Sequence, residues 1–207
     1  MNLLHIDSSP LQANSASRQL TAEVVAAWRQ ARPDLQVTYR DLAAAPPPHF
    51  SSALLAAFGD PAGANAETQA DLALGETLVS EFLAADVIVI GAPMLNFSVP
   101  STLKAWIDRV AQRGRTFKYG PNGPEGLAGG RKVVIVSSRG GVYSEGAAKA
   151  LDFQEAYLRG VLAFLGIDDV TVIRAEGLNI GPEVRAKAIE AAQAQTAALF
   201  AASAAAE

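Results

Sequence analysis

The sequence predicts an α/β fold in which a parallel β-sheet lies between two layers of helices. Three observations carry this expectation. Apolar runs of strand length alternate with longer segments whose apolar residues recur at helical spacing. The runs Val87-Ile88-Val89-Ile90 and Val133-Val134-Ile135-Val136 are apolar throughout, as strands covered on both faces are. A polar loop follows each of three predicted strands, and in an open parallel sheet such loops converge on one crevice at the carboxyl ends of the strands.

In chain order, Leu3-Leu4-His5-Ile6 reads as the first strand. Ser17 to Arg32 reads as a helix whose Leu20, Val24 and Trp28 recur at spacing four, ended with the help of Pro33. Leu35 to Arg40 alternates apolar and polar residues, the pattern of a second, more exposed strand. Glu67 to Ala84 is the next helix, with Leu72, Leu78, Val79 and Phe82 on its apolar face, and Asp86 to Ile90 is the third strand. Pro100 to Arg113 is helical, with Leu103, Trp106, Ile107 and Val110 on one side and a proline in the first turn. Val133 to Val136 supplies the fourth strand, Ser144 to Gly166 a long helix, and Asp169 to Ile173 the fifth strand. Pro182 opens a final helix that runs into an alanine-rich end, read as fraying and without chemistry. Right-handed crossovers then place helices on both faces of the five strands.

Two segments resist this scheme, Ala43 to Asn65 and Gly114 to Gly130. Irregular stretches of that length in a compact domain are functional or disordered loops. Their aromatics, Phe50 and Phe58 in one and Phe117 and Tyr119 in the other, suit a ligand crevice, a subunit contact or plain loop packing.

The 207 residues suit a single domain spanning 1–207, large enough to bury a substantial core. The net charge of −4 argues against nucleic acid, whose binding needs a basic footprint. No apolar run approaches the roughly 18 residues of a membrane span. The first residues enter a strand without a basic leader, so a soluble cytoplasmic protein is expected. Cysteine is absent, which removes disulfides, thiolate metal sites and cysteine nucleophiles. With His5 and His49 as the only imidazoles, a histidine-rich zinc site is not expected.

The chemistry lies in the loops. The first, Asp7 to Ser17, offers the hydroxyls of Ser9, Ser15 and Ser17 at a helix start, where Ser15 or Asn14 can cap and exposed amides favour an anion. Serines in such a place also serve as caps alone. Neither a GxGxxG nor a GxxxxGK[ST] pattern occurs there, which removes support for the dinucleotide and P-loop readings. The second, Gly91 to Phe97, offers Met94 and Phe97 to a planar ring, with Asn96 and main-chain amides for its polar edge; a plain strand-to-helix connection is the alternative. The third, Ser137 to Gly141, has paired glycines that let amides approach a ligand, and Arg139 either offsets ligand charge or lies on the surface. Together the loops suit a phosphorylated, flat, aromatic ligand.

In spacing and order these loops resemble the short-chain, FMN-dependent azoreductases, which are NAD(P)H:quinone oxidoreductases of flavodoxin-like fold. The resemblance runs over nearly the whole chain and includes Ala92 to Phe97, Asn122 to Leu127, Ser138 to Gly141 and Ala175-Glu176-Gly177. It implies a flavodoxin-like three-layer sandwich of sheet order 2-1-3-4-5 that binds FMN and draws electrons from NADH or NADPH. It puts Ser9, Ser15, Ala16 and Ser17 at the FMN phosphate and Met94, Leu95, Asn96 and Phe97 beside the isoalloxazine. Ser138, Arg139, Gly140 and Gly141 would meet the pyrimidine edge. Tyr119 and Phe164 match aromatic positions that look toward the flavin face and would line the substrate.

No catalytic side chain is implied, because the flavin carries the redox chemistry. Quinones or azo compounds would be reduced by two-electron, ping-pong hydride traffic through one slot. The resemblance also implies a homodimer with each flavin near the subunit boundary. Leu95 stands where relatives often carry tyrosine, a change that alters side-chain packing near the ring and leaves main-chain contacts in place. Two other roles fit the same loops, a flavodoxin-like electron carrier and an NAD(P)H-dependent FMN reductase.

Overall fold

The computed structural model describes residues 1–204. In chain order the elements are β1 (Asn2–Asp7), α1 (Ala16–Ala31), β2 (Gln36–Asp41), α2 (Ser52–Ala57), α3 (Ala66–Ala84), β3 (Val87–Pro93) and α4 (Ser101–Val110). There follow β4 (Phe117–Gly120), β5 (Gly123–Gly126), β6 (Lys132–Ser138), α5 (Phe153–Phe164), β7 (Asp169–Ala175) and α6 (Pro182–Ala204). Five strands form one parallel sheet in the order β2-β1-β3-β6-β7, and β4 and β5 pair as a separate antiparallel hairpin. Setting the hairpin aside, this is the expected order 2-1-3-4-5.

The period-two alternation of the central strands sorts their side chains into two cores. Val87 and Val89 of β3 join Leu20, Val24 and Trp28 of α1 and Ala192 of α6 on one face. Ile88 and Ile90 turn the other way, onto Leu78 and Phe82 of α3, Leu103 and Trp106 of α4 and Leu158 of α5. Helices therefore cover both faces, and the all-apolar sequence of β3 and β6 follows from burial on two sides. Edge strand β2, with one neighbour, carries the alternating and more exposed pattern.

The structure corrects three sequence boundaries. Ala43 to Asn65 is not wholly irregular, because α2 lies inside it with Ser51 Oγ accepting from the Leu54 amide at 3.1 Å as its cap. Gly114 to Gly130 contains the β4–β5 hairpin, pinned where Gly126 crosses Gly166: a Cβ on Gly126 would stand 2.1 Å from the Gly166 nitrogen. The helix expected from Ser144 starts only at Phe153. Gly146 takes φ 65°, a 3-10 turn occupies Ala147–Leu151, and Asp152 then caps α5 by accepting from the Glu155 amide at 3.1 Å. The alanine-rich end is helical to Ala204, and its last residues, 205–207, lie outside the described residues.

Candidate functional site

From β1 the chain steps outward to β2, whereas from β3 it steps the other way, to β6. The sheet order reverses between β1 and β3, and the loops after β1, β3 and β6 open at this point, where open sheets form a crevice. The loops are joined to one another. Ser8 Oγ donates to the Gly91 carbonyl at 2.6 Å, and the Met94 amide donates to the Ser138 carbonyl at 2.8 Å. Glycine is required at 91, because a Cβ there would stand 2.7 Å from Asp7 Oδ1.

In the first loop Ser15 is the N-cap of α1, accepting from the Arg18 amide at 3.3 Å. Among the described residues the amides of Ala16 and Ser17 then have no protein partner, the condition that makes a helix start attractive to an anion. Ser9, Ser15 and Ser17 are buried beneath these amides, with the Ser15 and Ser17 hydroxyls 3.1 Å apart.

Arg18 ties the loop down. Its Nε and Nη2 donate to the Ser9 carbonyl at 3.2 and 3.0 Å, and its two Nη atoms grip Asp41 at 2.7 and 2.6 Å. The hydrogen bond from Arg18 holds the Asp41 carboxyl below the usual carboxylate range against the opposing cost of desolvation. Behind them buried Asp7 accepts from Thr21 at 2.9 Å and from Tyr39 at 3.0 Å. Desolvation first, and then the Asp7 charge, push the Tyr39 phenol up to about 12. A cavity of about 560 Å³ opens here, lined by Asp7, Gln12, Ser15, Arg18, Tyr39 and Asp41.

The second loop is a tight turn closed by reciprocal bonds, Leu95 amide to Ser98 carbonyl at 2.9 Å and Ser98 amide to Leu95 carbonyl at 3.0 Å. Its central residues, Asn96 and Phe97, both have positive φ, 47° and 71°. Asparagine suits the first position, but the second is one that glycine ordinarily occupies. The Phe97 ring is 40% exposed and meets Tyr143 edge-on at 6.0 Å. Met94 is half-buried and Leu95 exposed, and the amides of Asn96 and Phe97 have no protein partner among the described residues.

The third loop points its carbonyls away. Those of Arg139, Gly140 and Gly141 accept from the amides of Leu178, Asn179 and Gly177, which leaves the amides of Gly140 and Gly141 without a protein partner among the described residues. A Cβ on Gly140 would stand 2.6 Å from Nδ2 of the exposed Asn179 side chain, which would have to turn aside. Arg139 departs from expectation, lying neither on the surface nor toward a ligand. Its guanidinium is buried and donates to Ser137 Oγ at 2.9 Å, Asp152 at 2.7 Å and Glu176 at 3.2 Å. Only its main chain belongs to the crevice.

Tyr119 and Phe164 stand apart from these loops. Phe164 ends α5, five residues before β7 begins at the amino end of the sheet, and packs at a tilt on Phe117 with centroids 4.6 Å apart, and Phe117 meets Tyr119 edge-on at 5.5 Å. The three rings form a cluster at the opposite end of their own chain from the crevice. Sequence reasoning missed Arg18, Asp41, Asp152 and Gln154. For Asp152 a signal existed, the Asp-x-x-Glu pattern of a capping box before an apolar helix.

Comparison with known proteins agrees with this fold. A family profile described as flavodoxin-like fold matches residues 1–200. The FMN-dependent NADH:quinone oxidoreductase of Azospirillum brasilense is 61% identical over 202 residues, covering 96% of this chain and 97% of that protein. The FMN-dependent NADH:quinone oxidoreductase 2 of Pseudomonas aeruginosa is 57% identical over 203 residues, covering 98% and 100%. Among solved structures, the azoreductase from Bacillus anthracis strain Sterne superposes with a TM-score of 0.88 at 28% identity, covering 96% of this chain and 98% of that one.

Proposed function

The chain belongs to the flavodoxin-like family, and on that premise we propose that it is an FMN-dependent oxidoreductase using NADH to reduce quinones and azo compounds. The observation that carries this reading is the set of unpartnered amides on three loops at the sheet's reversal point: Ala16 and Ser17, Asn96 and Phe97, and Gly140 and Gly141. A phosphate suits the helix start with its buried serine hydroxyls, and a flat heteroaromatic ring suits the two turns. These residues fit FMN, which when bound supplies the two-electron hydride chemistry between donor and acceptor.

The chain itself binds and orients. Ser9, Ser15, Ala16 and Ser17 would hold the phosphate, Met94 to Phe97 would flank the ring, and the amides of Gly140 and Gly141 would meet its electron-rich edge. Phe97 and Tyr143 meet edge-on beside the second and third loops, a pair that would shield that edge from water.

The proposal extends to the whole chain as one FMN-binding domain, to a cytoplasmic location and to a homodimer. Pairing would give Tyr119 and Phe164, remote from their own crevice, access to the flavin of the partner protomer. It would also cover the exposed Leu55, Phe58 and Tyr119 and a cavity of about 840 Å³ lined by Phe50, Leu55, Phe58, Arg113 and Phe117. Full activity from a monomer in a sedimentation experiment would overturn that part. The function is tested by the absorbance spectrum of the purified protein, followed by NADH addition without oxygen. A yellow chromophore bleached by NADH alone is expected and separates the enzyme from an electron carrier, which needs a partner reductase. A folded, colourless protein indifferent to added FMN would sink the reading.

A further inference from the structure

Three consecutive residues at the start of α5 each hold a different part of the crevice. Asp152 Oδ2 accepts from Arg139 Nη1 at 2.7 Å, so the helix cap is tied to the third loop. The Phe153 amide donates to the Phe97 carbonyl at 3.2 Å, so the helix start is tied to the strained residue of the second. Gln154, fully buried, reaches both strands beneath those loops. Its Oε1 accepts from Ser137 Oγ of β6 at 2.7 Å, and its Nε2 donates to the Ala92 carbonyl of β3 at 3.1 Å. Arg139 Nε donates in turn to Ser137 Oγ at 2.9 Å. A continuous hydrogen-bonded path therefore runs from Arg139 through Ser137 and Gln154 to Ala92, two residues before Met94. On its far side, Arg139 Nη1 meets Glu176 Oε1, which also accepts from the amides of Tyr143 and Ser144 at 2.8 and 3.0 Å.

We propose that Asp152-Phe153-Gln154 is a clamp that sets the spacing of the second and third loops, and that Gln154 is a positioning residue for the flavin ring. The chemistry of the links supports this. An amide side chain offers an acceptor and donors on one rigid plane, which is what a hydroxyl on one strand and a carbonyl on the next require. The links from Arg139 Nε through Ser137 and Gln154 to Ala92 are buried, where an unmade hydrogen bond is costly and a satisfied one fixes the arrangement. The amides of Gly140 and Gly141 and those of Asn96 and Phe97 must face one planar ligand together, so a shift of one loop against the other spoils both sets. Asp152 and Phe153 hold the loops from the outside, and Gln154 holds the strand ends from within.

The inference rests on the flavin reading, and the test separates the two. FMN affinity, the flavin absorbance bands and the midpoint potential are measured on the full chain for wild type and for Gln154→Leu, which keeps bulk and removes both links. The expected result is FMN binding weakened on the order of tenfold, the equivalent of one hydrogen bond, with shifted absorbance bands. If the loss falls on the reduced form alone, a tenfold change lowers the two-electron midpoint by about 30 mV. Gln154→Glu keeps the acceptor for Ser137 and turns a carboxylate on the Ala92 carbonyl. Its FMN affinity should recover toward wild type as pH falls and the carboxyl gains a proton to donate, a recovery that the leucine variant lacks.

Wild-type affinity, bands and midpoint in Gln154→Leu, whatever its thermal stability, would overturn the clamp while leaving the flavin reading intact. A wild-type chain that binds no FMN would overturn the flavin reading itself. Should Gln154→Leu fail to fold, Ser137→Ala breaks the same path with a smaller change and is read by the same measurements.

Discussion

Phe97 occupies a backbone conformation that favours glycine, and its replacement separates backbone strain from side-chain function. At φ 71° the Cβ of an L-residue costs about 1–2 kcal/mol. Glycine removes that cost but gives the unfolded chain more freedom, worth about 0.4–1 kcal/mol in the opposite direction. Phe97→Gly should therefore be more stable than Phe97→Ala by about 1 kcal/mol, or roughly 2–4 °C in Tm for a chain of this size. Both variants lose the edge-on contact with Tyr143 at 6.0 Å, worth about 0.5–1.5 kcal/mol. The loss nearly cancels the relief in the glycine variant, which should lie within about 1 kcal/mol of wild type. Both variants should turn over quinone more slowly, because the pair that would shield the ring edge is gone. Urea unfolding of the FMN-free proteins, read by midpoint at constant slope, measures the first difference. Steady-state NADH:quinone assays measure the second. Equal stability of the two variants would refute the strain argument, and full turnover by Phe97→Gly would show that the ring has no part in the site.

Three further outcomes follow from the same geometry. Ser17→Ala should weaken FMN by about 1.5–3 kcal/mol, one hydrogen bond to a charged group, as read by titrating FMN into the apoprotein; unchanged affinity removes Ser17 from the phosphate site. Asp41→Asn should cost about 1–3 kcal/mol by leaving the Arg18 guanidinium half-satisfied. Because the folded carboxyl lies below its ordinary range, its stabilisation is complete above that range and lost as pH falls through the lower folded value. The unfolding midpoint should thus fall less steeply in Asp41→Asn than in wild type as pH drops through and below the ordinary carboxylate range, and identical profiles would contradict the pairing. Gly126→Ala, which would drive a Cβ to 2.1 Å from the Gly166 nitrogen, should destabilise by about 1–3 kcal/mol, read by urea unfolding; wild-type stability would show that the hairpin is not pinned by this crossing.

Local rules read the elements that obey them. The all-apolar runs of β3 and β6, and the spacing-four rows of α1, declare their partners through burial alone. Short and composite elements escaped for physical reasons. The six residues of α2 are too few to show a helical period. Gly120-Pro121-Asn122-Gly123 reads as breakers, although with Gly120 paired to Gly123 its two central residues, Pro121 and Asn122, are the turn that joins β4 to β5. Around α5 the alanines near 148 looked helical, but Gly146 and the cap at Asp152 put the start nine residues after Ser144. The crevice loops were legible because each lies within a dozen residues of its strand. The direction of the Arg139 side chain was not, since its partners Asp152 and Glu176 stand 13 and 37 residues away and meet it only once β6, α5 and β7 are packed.

The two arginines nearest the crevice explain why the loops are built from amides. Arg18 is held by Asp41 and Arg139 by Asp152 and Glu176, so neither cation is free to attract a ligand through space. Each instead fixes backbone: Arg18 the Ser9 carbonyl, Arg139 the loop through Glu176 and the amides of Tyr143 and Ser144. A mobile cation at the ring edge would favour negative charge wherever it drifted, and would tighten substrate-like anions along with the flavin. On the proposed reading, the fixed amides of Gly140 and Gly141 would act at one place, need no reorganisation when charge develops there, and add no net charge at the opening for flat, uncharged acceptors. Arg18 and Arg139 hold the main chain in place, and on the proposed reading the main-chain amides so held would do the electrostatic work.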